Sequence, residues 1–595
     1  MALTKAHNRM IAGSSFNIID YGAVGDGTTA CSTAIQAAID AAYAVSGSVY
    51  IPDGTFLLDA AIDIKCDVSG TGTLKASASI TGLSPDGRAA MADITVNDVT
   101  VRDISFDCNS VCGALGPQAD DVVIDNVSSN NSYRAHIFTS GQGNKGGVIQ
   151  NCKLTNAGQG APLFGDAIYL NNVYGFRVVN NHIDGYTRIG IVFEGNDVAT
   201  TDYSYDPVIS GNYIKNGDGT GAGTEPAGIW LENTSGGVIS GNVIDTVTNT
   251  TVPWYSYGIA RFGFRGPTTG TTGTVISGNY ITNVYVGVLA SIATTVSDTH
   301  FENVKLGAYT TANTFASGSI VKYANSTFSN CTFDYGGAGW PSGKTPHGFF
   351  LSYSNNIKVI IDGIIEHNIT RDYVTDSDIT DIRLVNNDTS PDYQLTDMIL
   401  RNIPDGIVYH ARNEGGSMTT ADGNLTAENV KFTVRDNCKF QGQSYLRFIN
   451  CDFDNVNTPS SDFMVSNEVT YRGCNELPKV RYDNPASGTV DYQAYDCIID
   501  APVLQQFLTP VNIHVSNCIF RNVTSRMFYS STSEPAMIGS FNGNGFLDSS
   551  GGGYLVEIGN ASDKIVLNAN YKDVATALVT NTGSGTVTEN NTTQL

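Results

Sequence analysis

Apolar and polar residues alternate in short bursts along this chain, and one burst keeps returning. Val208-Ile209-Ser210-Gly211-Asn212-Tyr213-Ile214 recurs as Val238-Ile239-Ser240-Gly241-Asn242-Val243-Ile244 and as Val275-Ile276-Ser277-Gly278-Asn279-Tyr280-Ile281. Gly211 and Gly241 are thirty residues apart and Gly278 follows after thirty-seven, the spacing of a solenoid rung with a loop of variable length. Weaker copies stand at Val148-Ile149-Gln150-Asn151-Cys152 and Val178-Val179-Asn180-Asn181-His182. Each copy predicts a short strand that turns at an Asn, a residue type that tolerates left-handed backbone. Stacked copies predict an all-β fold, a right-handed single-stranded parallel β-helix whose rungs pair about 4.8 Å apart. Rungs continue at Asn356 to Gly363 and at Ala427 to Phe432, and Lys564 to Asn570 is expected to be the last well-formed one.

One segment departs from this period. From Cys31 to Val45 the apolar positions Ile35, Ile39 and Ala42 form a helical stripe among alanines, which predicts a short capping helix. A cap is expected on physical grounds, because an open terminal rung invites edge-to-edge association. The glycine-studded turn before it, Tyr21 to Thr29, lacks the Gly-Lys-Ser/Thr ending of a phosphate loop. Ser48 to Leu57 reads as strand, turn and strand. The expected organisation is an amino-terminal arm (1–15), a cap with helix and first strands (16–75), the β-helix (76–570) and a polar tail (571–595).

A second ladder carries the candidate chemistry. Ala167-Ile168-Tyr169-Leu170-Asn171, Gly190-Ile191-Val192-Phe193-Glu194, Gly228-Ile229-Trp230-Leu231-Glu232, Gly258-Ile259-Ala260-Arg261-Phe262 and Gly287-Val288-Leu289-Ala290-Ser291 align on their Ile or Val. Period two sends Ile191, Phe193, Ile229 and Leu231 inward and Val192, Glu194, Trp230 and Glu232 outward. Glu194 and Glu232 then hold the same place in adjacent rungs, with backbones about 4.8 Å apart. Their carboxylates can approach the roughly 5–5.5 Å of retaining glycosidases. Two like charges so close keep one group protonated, as a general acid requires, while the other stays ionised as nucleophile or base. Trp230 offers a flat face for a sugar ring, with Tyr169, Tyr257 and Arg261 lining the same groove. Rival acids remain: Asp166 and Glu225, each preceding its rung at a bend, and Asp362 with Glu366, whose even spacing predicts a common side of a strand. Acids on long insertions or at a site shared between subunits stay open as well.

Charge and cysteine usage narrow the classes. The 595 residues hold 57 acids against 33 bases, a formal charge of −24, which disfavours nucleic acid as a partner. Met1 to Met10 lacks the apolar core of a secretion signal and no run of about eighteen apolar residues occurs, so a soluble chain without membrane insertion is expected. Four of eleven cysteines fall in one pattern, Asn151-Cys152-Lys153-Leu154, Asn330-Cys331-Thr332-Phe333, Asn450-Cys451-Asp452-Phe453 and Asn517-Cys518-Ile519-Phe520. They read as small buried hydrophobes. Cys108 and Cys112 form a lone Cys-x3-Cys and no His-x3-His occurs, so neither a metal nor a cofactor is expected. The Gly-x-Ser-x-Gly elbow of esterases is missing.

The run Asp20-Tyr21-Gly22-Ala23-Val24-Gly25-Asp26-Gly27, then Ala34-Ile35-Gln36-Ala37-Ala38-Ile39, then Val49-Tyr50-Ile51-Pro52-Asp53-Gly54 resembles the opening of the pectate-lyase-like β-helix proteins. That superfamily includes bacteriophage tailspike depolymerases, and Lys5-Ala6-His7-Asn8-Arg9-Met10-Ile11 is similar to the connector of many tailspikes. Ala30-Cys31-Ser32 departs from the family, which usually has acidic residues there. The resemblance implies a homotrimer on a virion tail, joined to a baseplate or adaptor protein, that depolymerises a bacterial surface polysaccharide, either capsule or lipopolysaccharide O-antigen. Endo-hydrolysis by paired carboxylates is the preferred chemistry. The alternatives are a polysaccharide lyase acting on a uronate, with Tyr257 and Arg261 as its groups, and a non-catalytic receptor-binding fibre or adhesin.

Overall fold

The computed structural model describes residues 13–310 apart from 83–88, 140, 142, 196–202, 220–224, 250–255, 263–272 and 291–292. Beyond these it describes 320–333, 349–352, 357–367, 370–371, 380–386, 395–413, 423–433, 439–440, 443–454, 463–464, 468–475, 477, 480–482, 489–500, 505–507, 510–522, 527–530, 536–547, 556–558, 561–572, 578–581, 584–591 and 593–594. The connector read at Lys5 to Ile11 lies outside the described residues, as does Asn356. The chain divides into two units, Met1–Ala308 with Tyr335–Lys344, and Tyr309–Asp334 with Thr345–Leu595.

The first unit is three parallel ladders. One contains Val148–Gln150, Arg177–Val179, Val208–Ser210, Val238–Ser240 and Thr274–Ser277. The next contains Lys153–Ala157, His182–Tyr186, Tyr213–Gly217, Val243–Val247 and Tyr280–Val284. The third contains Asp166–Asn171, Ile189–Glu194, Ala227–Glu232, Tyr257–Phe262 and Val286–Ala290. The chain visits the three in turn and then repeats, as a parallel β-helix requires. Ile149, Val178, Ile209, Ile239 and Ile276 stack inside, each at most 1% exposed, and burying each such side chain contributes about 1.5–3 kcal/mol.

The bend works differently from the expectation in the strongest repeats. The left-handed residues there are the glycines Gly211, Gly241 and Gly278, with φ of 66, 63 and 62°, which need no Cβ clearance. The asparagines that follow them are freed for another task. Asn181, Asn212, Asn242 and Asn279 point inside and form a ladder, the Nδ2 of each of the first three donating at 2.9 Å to the Oδ1 of the next. The same Oδ1 atoms accept the backbone N–H of the preceding Asn at 2.9–3.0 Å. Each Nδ2 also reaches a main-chain carbonyl: Ile149, Val178, Ile209 and Ile239. Buried amides are thereby satisfied on both ends. In the weaker copies, Asn151 and Asn180 do take the left-handed conformation, each at φ 56°.

The helix spans Ser32–Tyr43 and buries Ile35, Ala38, Ile39 and Ala42. Its start has no side-chain cap at Cys31. The Ser32 hydroxyl instead donates to the Ala60 carbonyl at 2.8 Å and accepts from the Asp59 and Ala60 N–H groups, which fixes the helix to the adjacent strand.

In the second unit, Ile320–Ala324, Ile357–Asp362, Leu395–Asn413, Gly423–Thr433, Gln443–Ile449, Glu468–Arg472, Val490–Tyr495, Val511–Ser516, Met537–Asn542 and Lys564–Asn568 pair in parallel succession. The stack does not stop at Asn570: Thr586–Asn590 adds one more strand in register. Polar composition concealed it, since all five residues are exposed; backbone pairing holds them, with Asn590 Nδ2 donating to Asn568 Oδ1 at 2.9 Å. The inward position after the bend here belongs to cysteine in four successive rungs, Cys451, Cys474, Cys497 and Cys518, and then to Asn544 and Asn570, which bond as in the first unit.

Candidate functional site

The third ladder of the first unit holds the predicted pair. Asn171, Glu194, Glu232 and Phe262 form one column of register partners, and Tyr169, Val192, Trp230 and Ala260 another. Ile191, Phe193, Ile229 and Leu231 are fully buried inside. The outward residues of this ladder are buried too: Tyr169 is 2% exposed, Val192 1% and Trp230 7%. Trp230 stacks on Phe262, with centroids 4.6 Å apart and planes 19° apart, and meets the Tyr257 ring at 6.1 Å. Its face is therefore taken, and Trp230, Tyr169 and Tyr257 are not the open platform expected of them. Glu194 and Glu232 remain half-buried at the strand ends, and Glu232 accepts the Trp230 indole N–H at 2.9 Å.

Arg261 does not line this face. It pairs in register with Leu231 and is fully buried. Nε donates to Thr274 Oγ1 and Nη1 to the Phe262 carbonyl, both at 2.9 Å, and Nη2 donates to the Thr234 carbonyl. Desolvation pushes its pKa down to about 9.

One of the rival acids is instead paired with Arg188, which directly precedes Ile189–Glu194. Its Nε donates to Asp166 Oδ1 at 2.7 Å; the Asp166 side chain is 4% exposed and that of Arg188 22%. Burial favours loss of the Arg188 proton, but the Asp166 charge and hydrogen bond, with Glu194 and Tyr169 adding to them, hold the pKa above its ordinary value. Glu225 feels the same guanidinium. Burial pushes its carboxyl up, with Arg188 pulling the other way. Thus Asp166 bonds Arg188 directly and Glu225 feels its charge, while Glu194, at the other end of the same strand, has Glu232 as its register partner. A charge-locked carboxylate, a carboxyl biased toward its protonated form and a half-exposed carboxylate are the parts of acid–base chemistry.

The other predicted acids belong to the second unit. Asp362 ends Ile357–Asp362, a left-handed Gly363 at φ 63° follows, and Glu366 lies on Ile365–His367 opposite Phe328. Even spacing across that turn does not put them on one strand. The Glu366 side chain lies outside the described residues. Among the described residues, no group of three or more His, Cys, Asp or Glu is arranged to hold a metal ion.

Sequence reasoning missed an aromatic pair beside Glu194. Tyr174 and Tyr205 stack with centroids 5.0 Å and planes 11° apart, Tyr203 meets Tyr205 edge-on at 6.2 Å, and the Lys145 ammonium stands 6.0 Å from the Tyr174 ring centre. Lys145 and Tyr174 pair by single bridges outside any strand, and Tyr205 belongs to the two-residue strand Ser204–Tyr205, too short for a strand periodicity to announce it. Their only trace in the sequence is a spacing of about one rung.

Residues 15–220 match the family described as Rhamnogalacturonase A/epimerase, pectate lyase-like. The resemblance of the chain to the pectate-lyase-like β-helix superfamily is thereby supported over its amino-terminal third. No curated protein matches the sequence. Among solved structures, the chain is 10% identical to a tailspike protein mutant of E. coli bacteriophage HK620 in complex with a pentasaccharide, covering 81% of this chain and 78% of that one, with a TM-score of 0.40. It is 16% identical to PfbA, a surface adhesin of Streptococcus pneumoniae, over 60% of this chain and 93% of that one, with a TM-score of 0.39. It is 13% identical to a hyperthermoactive exopolygalacturonase from Thermotoga maritima, over 71% and 92%, with a TM-score of 0.33.

Proposed function

We propose that the chain is a polysaccharide depolymerase of the tailspike kind, which binds a bacterial surface glycan and cuts it by endo-hydrolysis. The observation that carries this reading is a ladder that holds Glu194 and its register partner Glu232 at one strand end and, at the other, the Arg188–Asp166 ion pair, whose charge Glu225 feels. In the proposed mechanism Glu225, whose pKa burial raises, protonates the leaving oxygen. Glu194, with Glu232 beside it in register, takes the proton of the water that attacks the anomeric carbon as the glycosidic bond breaks, and Asp166 keeps Arg188 in place. The match of residues 15–220 to a pectate-lyase-like family supports a glycan as substrate. What weighs against β-elimination by Tyr257 and Arg261 is their burial. A homotrimer, a virion tail location and a capsule or O-antigen substrate are parts of the same proposal.

The test is incubation of the protein with a panel of purified capsular and O-antigen polysaccharides, reading new reducing ends and fragment masses. Glu194→Gln and Glu225→Gln should each abolish cleavage while binding persists. Full cleavage by both variants, or fragments ending in an unsaturated uronate, would refute the mechanism.

A further inference from the structure

We infer that Lys145, Tyr174 and Tyr205 form a sugar-binding ledge, a subsite that takes a pyranose unit of the polymer next to the segment lying at Glu194. The inference rests on the proposed function and extends it to a place where a non-reacting part of the glycan is held.

Three observations meet here. First, a polymer-binding site needs accessible aromatic surface, and the ladder that carries the acids has none to offer at Trp230, whose face is occupied by Phe262. Tyr174 and Tyr205 are half-exposed and already ordered against each other. Their rings present apolar edges to sugar C–H groups and their phenols present hydroxyl groups to sugar hydroxyls, which is the mixed chemistry of a glycan. Lys145 is exposed at the end of the column over Tyr174, adding a donor for a hydroxyl or an acidic substituent.

Second, the ledge is fixed to the acidic site by main-chain bonds. The Glu194 carbonyl accepts the Asn172 N–H and the Ser204 hydroxyl, each at 2.8 Å. Ser204 Oγ in turn accepts the Val173 N–H at 3.2 Å. Tyr205 N–H donates to the Val173 carbonyl and Gly175 N–H to the Tyr205 carbonyl, both at 2.8 Å. The two segments bearing the tyrosines are thus tied to each other and to the residue proposed to react.

Third, the distance suits one chain of sugars. Tyr174 stands three residues beyond Asn171, the register partner of Glu194, so the ledge begins within about 10 Å along the backbone. Binding energy gained at such a place can hold the scissile bond in position without touching it.

The experiment compares wild type, Tyr174→Ala, Tyr205→Ala, Tyr205→Phe and Lys145→Ala by affinity electrophoresis in gels containing each polysaccharide of the panel, and by cleavage kinetics. The alanine variants at tyrosine should bind about tenfold more weakly and raise KM with kcat little changed. Tyr205→Phe, which keeps the stack, and Lys145→Ala, an exposed position, should weaken binding by smaller factors and guard against loss of fold. Thermal unfolding of each variant separates binding from stability. If all four variants bind and cleave like wild type while Glu225→Gln is inactive, the ledge is overturned and the hydrolase reading stands. If wild type binds a glycan through the tyrosines but Glu194→Gln and Glu225→Gln change no cleavage, the ledge stands and the mechanism falls. If wild type binds no polysaccharide of the panel, the ledge falls with the function that it serves.

Discussion

Trp230 donates its indole N–H to Glu232 two residues further along the same strand, at 2.9 Å. The tryptophan expected to stack on substrate therefore holds a carboxylate in place, while Phe262 covers its face. Trp230→Phe retains an aromatic ring against Phe262 and removes the donor. It should lower stability by about 1–2 kcal/mol, toward the lower end for bonds to a charged group because Glu232 is half-exposed. Denaturant titration reads this loss, and an unchanged midpoint would mean that water replaces the indole without cost.

Glu225 sets an expected pH dependence. Burial raises its folded pKa above the unfolded value, so the folded chain holds the proton more tightly than the unfolded one. Its stability contribution is complete below the ordinary carboxylate range and is lost as pH rises through the raised folded value. The proposed acid is lost over the same interval, so kcat should fall there. Glu225→Gln should remove the stability slope as well as the activity. Unfolding midpoints measured across the acidic range, alongside kcat, check both; a slope that survives in Glu225→Gln belongs to another group.

The asparagine ladder should be sensitive at its centre. In Asn242→Leu, the Asn212 backbone N–H loses its acceptor, the Asn212 Nδ2 loses one of its two, and the Ile209 carbonyl loses the side-chain donor, while the Asn279 Oδ1 keeps the backbone N–H of residue 242. Stranding buried groups of this kind costs about 1–3 kcal/mol each, so a total loss of about 3 kcal/mol is expected, read as a lower denaturation midpoint. An effect below about 0.5 kcal/mol would show that the amides act only as space-fillers.

Among the described residues ten cysteines are buried and free, and burial pushes the thiols of Cys66 and Cys152 up to about 12. These ten should resist an aromatic disulfide reagent in native buffer and react together on unfolding. Rapid native labelling at Cys152 or Cys474, located by peptide mass, would contradict the packing.

Much of the architecture was legible from Val208 to Ile281, because period-two alternation over a thirty-residue repeat admits few other folds. Parity also placed Ile191, Phe193, Ile229 and Leu231 correctly. It went wrong where outward was equated with exposed: Trp230 does face away from the coil axis, yet the next rung supplies Phe262 to cover it. Arg261 shows the opposite error. Its parity matches Leu231, which is inside, but its charge suggested the surface; the carbonyls of Thr234 and Phe262 and the Thr274 hydroxyl make the interior tolerable. The tie of Arg188 to Asp166 and its influence on Glu225 were illegible, because the two acids sit in the rungs on either side of it. Asn212 was noticed as a bend residue, and only the register shows that the glycine before it makes the turn.

The inner amides have a further consequence for how the chain finds its shape. Slipping a rung by one position would bring Gly241 or Val243, in place of Asn242, opposite Asn212, and neither side chain can complete the amide contact. Each coil thus carries its own gauge for the alignment of its neighbour, and a misthreaded segment forfeits the amide bonds that the native one makes.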